Sequence, residues 1–261
     1  MAPFKDPDYE VHQPGLADFF PAAVLFEGTP FEMNRLVIAR LLVAFALGLS
    51  FFLVVRNLKL RPGRMQWLSE FLAGFVRDQI GVELLGTSRG HRYATILGFI
   101  FFGVLGMNLT GIIPGIDIAA SSVVAVPIVF AVVAYVTFIV AGIKARGGMR
   151  FLHEQLFPAG VPWPLYILLT PIEFISTFII RPLSLAVRLL ANMMAGHMLL
   201  ALSYFGTQAL LLASTFMKPL SILTFGGSIV ATLFEIFVAA LQAYVFTVLT
   251  AVYIKMSVEA H

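Results

Sequence analysis

Six ionisable side chains stand within the apolar C-terminal part of the chain: Glu173, Arg181, Arg188, His197, Lys218 and Glu235. A charge at bilayer depth costs about 2.5 to 3.5 kcal/mol on insertion scales, so residues kept there are paired, solvated by a cavity, or functional. Taken singly, several have plain readings. Lys218 at a turn and Arg181 beside Pro182 can snorkel to an interface, and His197 can bond one helix to another. Glu173 and Glu235 are harder to dismiss. Arg188 is hardest, because a guanidinium does not shed its proton in proteins and cannot escape the cost by neutralising. Titratable groups on either side of a permanent cation could pass protons to and from two separate aqueous pockets, with Arg188 barring direct passage. Such a device conducts only if something carries the proton past the arginine. A mobile carboxylate on a partner subunit would do so, crossing lipid only when protonated.

Helix arithmetic makes the set more informative than its members. Glu173 lies 15 residues before Arg188 and His197 nine after it, about 22 Å and 13 Å along an axis at 1.5 Å per residue. At about 100° per residue His197 falls on the face opposite Arg188, while Asn192 roughly shares the Arg188 face. Folding the two long apolar segments as an antiparallel pair about Phe216 to Pro219 puts positions whose numbers sum to about 432 side by side. His197 then stands level with Glu235, and Arg188 with Gln242. Glu235 and Gln242, seven apart, share a face.

The elements that must hold these residues follow from hydropathy. The 261 residues are 59% hydrophobic and 12% charged, too little polar surface to cover a water-soluble globule. The predicted fold class is an all-α integral membrane protein of about five to six hydrophobic helices. Spans are predicted over about 36–55, 93–113 and 123–143, each near the 20 residues that cross roughly 30 Å of hydrocarbon. Trp67, Leu68, Phe71, Leu72 and Phe75 recur at helical spacing and predict an amphipathic helix over about 64–85, lying in the headgroup layer. Apolar segments over about 165–212 and 220–256 exceed an ordinary span and must tilt, kink or run partly along the membrane. Residues 36–256 thus form one polytopic membrane domain, between a tail over 1–35 and a short tail over 257–261. Asp6, Asp8, Glu10, Asp18, Glu27 and Glu32 give the first tail the wrong charge for a transit peptide, and it reads as retained.

Positive charge gathers at Arg56, Lys59, Arg61, Arg64, Arg77, Arg89 and Arg92, and again at Lys144, Arg146 and Arg150. Residues 114–122 carry Asp117 and no Lys or Arg. The positive-inside rule puts the first two loops in the cytoplasm or matrix and the N-terminal tail on the periplasmic or intermembrane side. The formal charge of +3 does not argue for nucleic acid, since the basic residues flank apolar spans rather than line an aromatic-interleaved surface. There is no cysteine, so thiolate chemistry and sulfur metal sites are excluded. No Walker loop, dinucleotide fingerprint or HExxH occurs; Gly142 to Gly148, GIKARGG, lacks the Walker spacing and reads as a basic loop. Neither a cofactor nor a metal is expected.

Residues 181–200, RPLSLAVRLLANMMAGHMLL, resemble subunit a of the F-type ATP synthase, as do Glu235, Gln242 and the ending LQAYVFTVLTAVYIKM. Asn108 to Pro114 also fits. The similarity covers residues 93–256 well and the first span more weakly; His at 197 with Glu at 235 resembles the mitochondrial and alphaproteobacterial branch. The resemblance implies a bacterial inner or mitochondrial inner membrane, and a long, strongly tilted C-terminal hairpin hugging a ring of c subunits. It makes Arg188 the stator arginine facing that ring. It puts His197, Glu235, Asn192 and Gln242 on or near the half-channel from the periplasm or intermembrane space, and Glu173 near the outlet. Glu173 stands nine residues before Pro182, one more than in the commoner pattern. Ser176 and Ser184 either line the channels or bond back to their own helix. The implied partners are the c-ring, b-type peripheral-stalk subunits, membrane lipid and the whole synthase, where ATP binds on a soluble partner. Two rivals compete: a secondary transporter moving an anionic solute past Arg188, though its expected repeated halves are not seen, and a passive membrane scaffold.

Overall fold

The computed structural model describes residues 23–25, 33–56, 63–112, 121, 123–157, 162–212 and 218–259. Most of the predicted N-terminal tail, Lys59 and Arg61, the Asp117 loop, the turn before Lys218 and the last two residues lie outside them. The described chain is helical apart from a short antiparallel ladder of β1 (Ala23–Leu25) with β2 (Met33–Asn34) ahead of the first helix.

Five helices are long and apolar enough to cross a membrane. The first is α1 (Arg35–Arg56), which shows Leu41, Leu42, Phe45 and Phe52 outward, over half exposed. That is the expected surface of a helix bathed in hydrocarbon. Next come α2 (Arg64–Phe75), a wide π-turn at Val76–Val82, and the single turn α3 (Glu83–Leu85). Trp67 and Phe71 stack at 5.5 Å on the outer side of α2. Val76 and Ile80 are buried beneath, so apolar side chains lie on the outer side of this stretch as well as within.

The crossing helix α4 (Thr87–Leu109) begins six residues before the predicted position 93. Hydropathy hid that start, because Arg89, His91 and Arg92 are polar yet helical. Gly86 marks the corner with φ +79°, a left-handed backbone that favours glycine. Gly147, φ +84°, makes the matching corner between α5 (Ala125–Arg146) and α6 (Gly148–Leu156). The segment that reads from sequence as a basic loop is thus the last turn of α5 and the Gly147 corner, followed by a short helix. Its charge pattern is amphipathic: Phe151 is buried, while the Arg150 and Arg146 guanidiniums hydrogen-bond Glu154.

The last two crossing helices are far longer than a bilayer needs. One runs unbroken over Tyr166–Leu212, 47 residues, and comprises α7 (Tyr166–Ile175), a π-turn at Ser176–Ile180 and α8 (Arg181–Leu212). Pro182 lacks an N–H and crowds the preceding turn, and the wide turn directly before it relieves both demands. The other is α9 (Lys218–Val258), 41 residues, with Pro219 tolerated in its first turn. At 1.5 Å per residue they measure about 70 Å and 62 Å, so they lean or bend within a bilayer. Helices α4, α5, α8 and α9 close around Leu97, Ile100, Leu189, Met193, Phe246 and Ile254, all fully buried. Lipid tails are as apolar as these side chains, so the cohesion comes from close fit. A Cβ at Gly103 would come within 2.7 Å of the Phe130 ring, and the absence of one lets α5 settle against α4.

Candidate functional site: a polar seam between two long helices

Along α9, Ser221, Ser228, Glu235 and Gln242 are all buried, from 1% to 5% exposed. They recur every seven residues and so form one stripe. The buried side of α8 faces them with Leu189, Met193, Gly196, His197, Leu200 and Thr207. Asn192 Nδ2 donates to Gln242 Oε1 at 2.7 Å. Toward the far end of the hairpin the Thr207 and Ser228 hydroxyls lie 3.4 Å apart, and those of Tyr204 and Thr232 3.1 Å apart. The register is close to the one that sequence alone suggests, with one correction. Gln242 is met by Asn192, a turn beyond Arg188, because Arg188 points out of the hairpin rather than across it.

Glu235 is 4% exposed and His197 9%. The carboxyl lies in a notch over the backbone of Gly196, where any Cβ would overlap its oxygens. Glycine here has nothing to do with backbone freedom: its missing side chain is the space that the carboxyl fills. One turn further along α9, buried Asn108 of α4 donates to the Ala239 carbonyl at 3.5 Å and accepts from Ser121. Gly196, Asn108, Ser121 and the hydroxyls of Tyr204, Thr207, Ser228 and Thr232 were not singled out from sequence as parts of this seam, although the seven-residue recurrence of Ser221, Ser228, Glu235 and Gln242 was a readable signal.

Arg188 occupies the opposite side of α8. It is exposed, and so are Ala191, Asn192 and Ala195 beside it. Nine residues at about 100° is half a turn, so one helix presents a fixed cation outward and a histidine inward. Glu173, on α7, is half-buried and away from the Glu235 notch. Ser184 Oγ donates to the Arg181 carbonyl at 2.9 Å, the back-bonded arrangement. Among the described residues no cluster of His, Asp or Glu could hold a metal ion.

Five apolar helices of crossing length, two of them overlong and carrying the ionisable groups, define a multi-pass helical membrane protein. The chain matches the family of the ATP synthase A chain over residues 37–255. It is 42% identical over 252 residues to ATP synthase subunit a of Rhodococcus erythropolis, covering 96% of this chain and 92% of that one. It is 34% identical over 252 residues to ATP synthase subunit a of Pseudarthrobacter chlorophenolicus, covering 96% and 94%. Against ATP synthase subunit a of Frankia alni the identity is 41% over 223 residues, covering 85% and 76%. The chain belongs to the ATP synthase A chain family. These three relatives are actinobacterial, which fits a bacterial branch.

Proposed function

We propose that this chain is the proton-translocating stator subunit of a rotary ATP synthase, resident in a bacterial inner membrane with its N-terminal tail on the periplasmic side. Two aqueous half-channels approach the middle of the membrane. Protons arriving from the periplasm pass the Glu235, His197, Gln242 and Asn192 group and load a carboxylate on a ring of c subunits. Neutralised, that carboxylate travels through lipid; ionised, it is held opposite Arg188. It unloads toward an outlet near Glu173. Arg188 stays charged throughout and keeps the two waters apart, as fixed cations exclude protons in other pores. The basic loops and α2 face the cytoplasm and meet the b-type peripheral-stalk subunits.

The observation that carries this reading is the division of α8 into an exposed side with Arg188 among small residues and a buried side with His197 beside the Glu235 notch. Ala191 and Ala195 leave room for another helix to come close to the guanidinium. A charge crossing 100 mV is worth about 2.3 kcal/mol, so several protons serve each nucleotide made and a leak would uncouple the machine. Arg188→Ala, in synthase assembled to normal amounts in inverted vesicles, abolishes ATP synthesis driven by a proton gradient. Normal synthesis by that variant would reject the role.

A further inference from the structure

A groove of about 720 Å³ between α1, the α2 stretch and α4 has no part in the scheme above. Its size is that of small-molecule sites, about 300 to 1,000 Å³. The mouth is polar: Glu70 of α2 and Arg77 of the π-turn line it, both exposed. Aromatic rings form the walls, and Phe99 is 59% and Phe51 40% exposed, so the groove opens outward rather than into the bundle. Phe51 and Phe102 meet edge to face at 5.1 Å. The floor is low because Ala94 and Gly98, one turn apart on α4, carry little or no side chain. A Cβ at Gly98 would meet nothing within 4 Å.

The groove has a direction. Helix α4 starts at Thr87, among the basic residues of the bundle's edge. Ala94, Gly98 and Phe102 come later by about 10, 16 and 22 Å along its axis at 1.5 Å per residue. Charge therefore lies at the height of headgroups, and apolar surface continues inward. A phospholipid has the same order from head to tail. A helix also packs well on small residues, but it has no need of a charge of each sign at the mouth.

The tails cannot supply selection, because the groove is no more apolar than the hydrocarbon around it. The headgroup must, and two charges meet it. Gln66 donates to Glu70 Oε1 at 2.7 Å, while Arg77 Nε and Nη2 donate to Asp78 at 2.8 Å. Among the described residues the second Glu70 oxygen and the other three guanidinium N–H groups remain for a ligand. A purely basic pocket would suit an anionic lipid. One cation beside one carboxylate suits a zwitterion whose positive end donates hydrogen bonds.

We propose that this groove binds phosphatidylethanolamine, with the phosphate on Arg77, the ammonium on Glu70 and one acyl chain along Ala94 and Gly98. Phosphatidylcholine has no N–H to give Glu70, and phosphatidylglycerol brings no positive charge. That the leaflet is the cytoplasmic one rests on the orientation proposed above; the binding itself does not.

The test offers the purified synthase, in detergent, equal amounts of phosphatidylethanolamine, phosphatidylglycerol and phosphatidylcholine. Native mass spectrometry reads the retained lipid, and a high-resolution structure of the same complex reads the groove. The wild type retains phosphatidylethanolamine in preference, with headgroup density between Glu70 and Arg77. Gly98→Phe fills the floor and loses that lipid, whereas Gly48→Phe, on α1 outside the groove and equally uncrowded, retains it. Glu70→Gln keeps the phosphate contact, and its preference over the other two lipids falls about threefold to fivefold. Preference for phosphatidylglycerol in the wild type overturns the proposal, as does undiminished retention in Gly98→Phe or a protein helix lying in the groove. If Gly98→Phe does not assemble, Glu70→Gln carries the test, and an unchanged preference rejects the idea. Normal synthesis by Arg188→Ala would overturn the functional scheme and leave the lipid result standing.

Discussion

The water-edge end of the bundle and the middle of its hairpin treat charge in opposite ways. At the edge, cationic side chains and carboxylates are joined: Arg146 and Arg150 with Glu154, Arg89 and Lys255 with Glu259, Arg77 with Asp78. In the hairpin, Arg188 belongs to none of these pairs and faces outward, while Glu235 is sunk against Gly196 on the other helix. An ion pair at the surface fixes local shape at little net gain. A charge withheld from its neighbours inside a membrane remains available to a moving partner, and that availability is what the proposed mechanism requires. One region spends its charges on architecture and the other reserves them.

The contrast can be broken most severely at the notch. Gly196→Ala forces a methyl group into the space of the Glu235 carboxyl, and proton conduction drops about tenfold or more, with roughly 1–3 kcal/mol of destabilisation from overpacking. Gly206→Ala, in the same helix with nothing within 4 Å of the added carbon, conducts normally and gains up to about 1 kcal/mol from helix propensity. Equal behaviour of the two alanines would mean that the carboxyl is not seated where it is drawn. A smaller effect is expected across the seam. A double-mutant cycle of Asn192→Leu and Gln242→Leu, read by unfolding in detergent, gives a coupling of about 0.6 kcal/mol and no more than about 1.7. Zero coupling would show that the 2.7 Å bond adds nothing to the pairing of the helices.

The least effect belongs to the edge. Hydrogen bonds from Arg150, then from Arg146, hold the Glu154 carboxyl below the usual carboxylate range. A carboxyl whose folded pKa is lowered lends stability that is full above the unfolded value, near 4.3, and is lost as pH falls through the folded one. Hydrogen exchange of α6 amides, corrected for intrinsic rates, therefore loses protection on acidification below about pH 4.3 in the wild type, and Glu154→Gln lacks that dependence. Proton conduction at neutral pH is unaffected.

Much of this was legible in the sequence. Uninterrupted apolarity gave the crossing helices, and the cost of burying Arg188 singled out that residue without any fold. Angular arithmetic separated Arg188 from His197 and came close to the pairing of α8 with α9. What escaped was three-dimensional in origin. The start of α4 at Thr87 escaped because basic residues at a membrane edge dilute hydropathy without breaking a helix. Gly196 looked like any glycine in an apolar run, since the carboxyl that needs its space comes from 39 positions away. The wide turn at Ser176–Ile180 escaped as well, because a π-turn leaves no mark in hydropathy or residue spacing.

The excess length of the hairpin has a consequence for distance. Even with the headgroup layers counted, a helix of 47 residues fits a slab of about 45 Å only by leaning about 50° from the normal if it stays straight. Straight and confined to that slab, it would be a ramp rather than a pillar. Along such a ramp the stretch from Glu173 to Arg188 descends about 14 Å and travels about 17 Å sideways. Depth is thereby exchanged for lateral displacement, and a carrier that circles in the membrane plane without rising or sinking can still pass from one level of the slope to another.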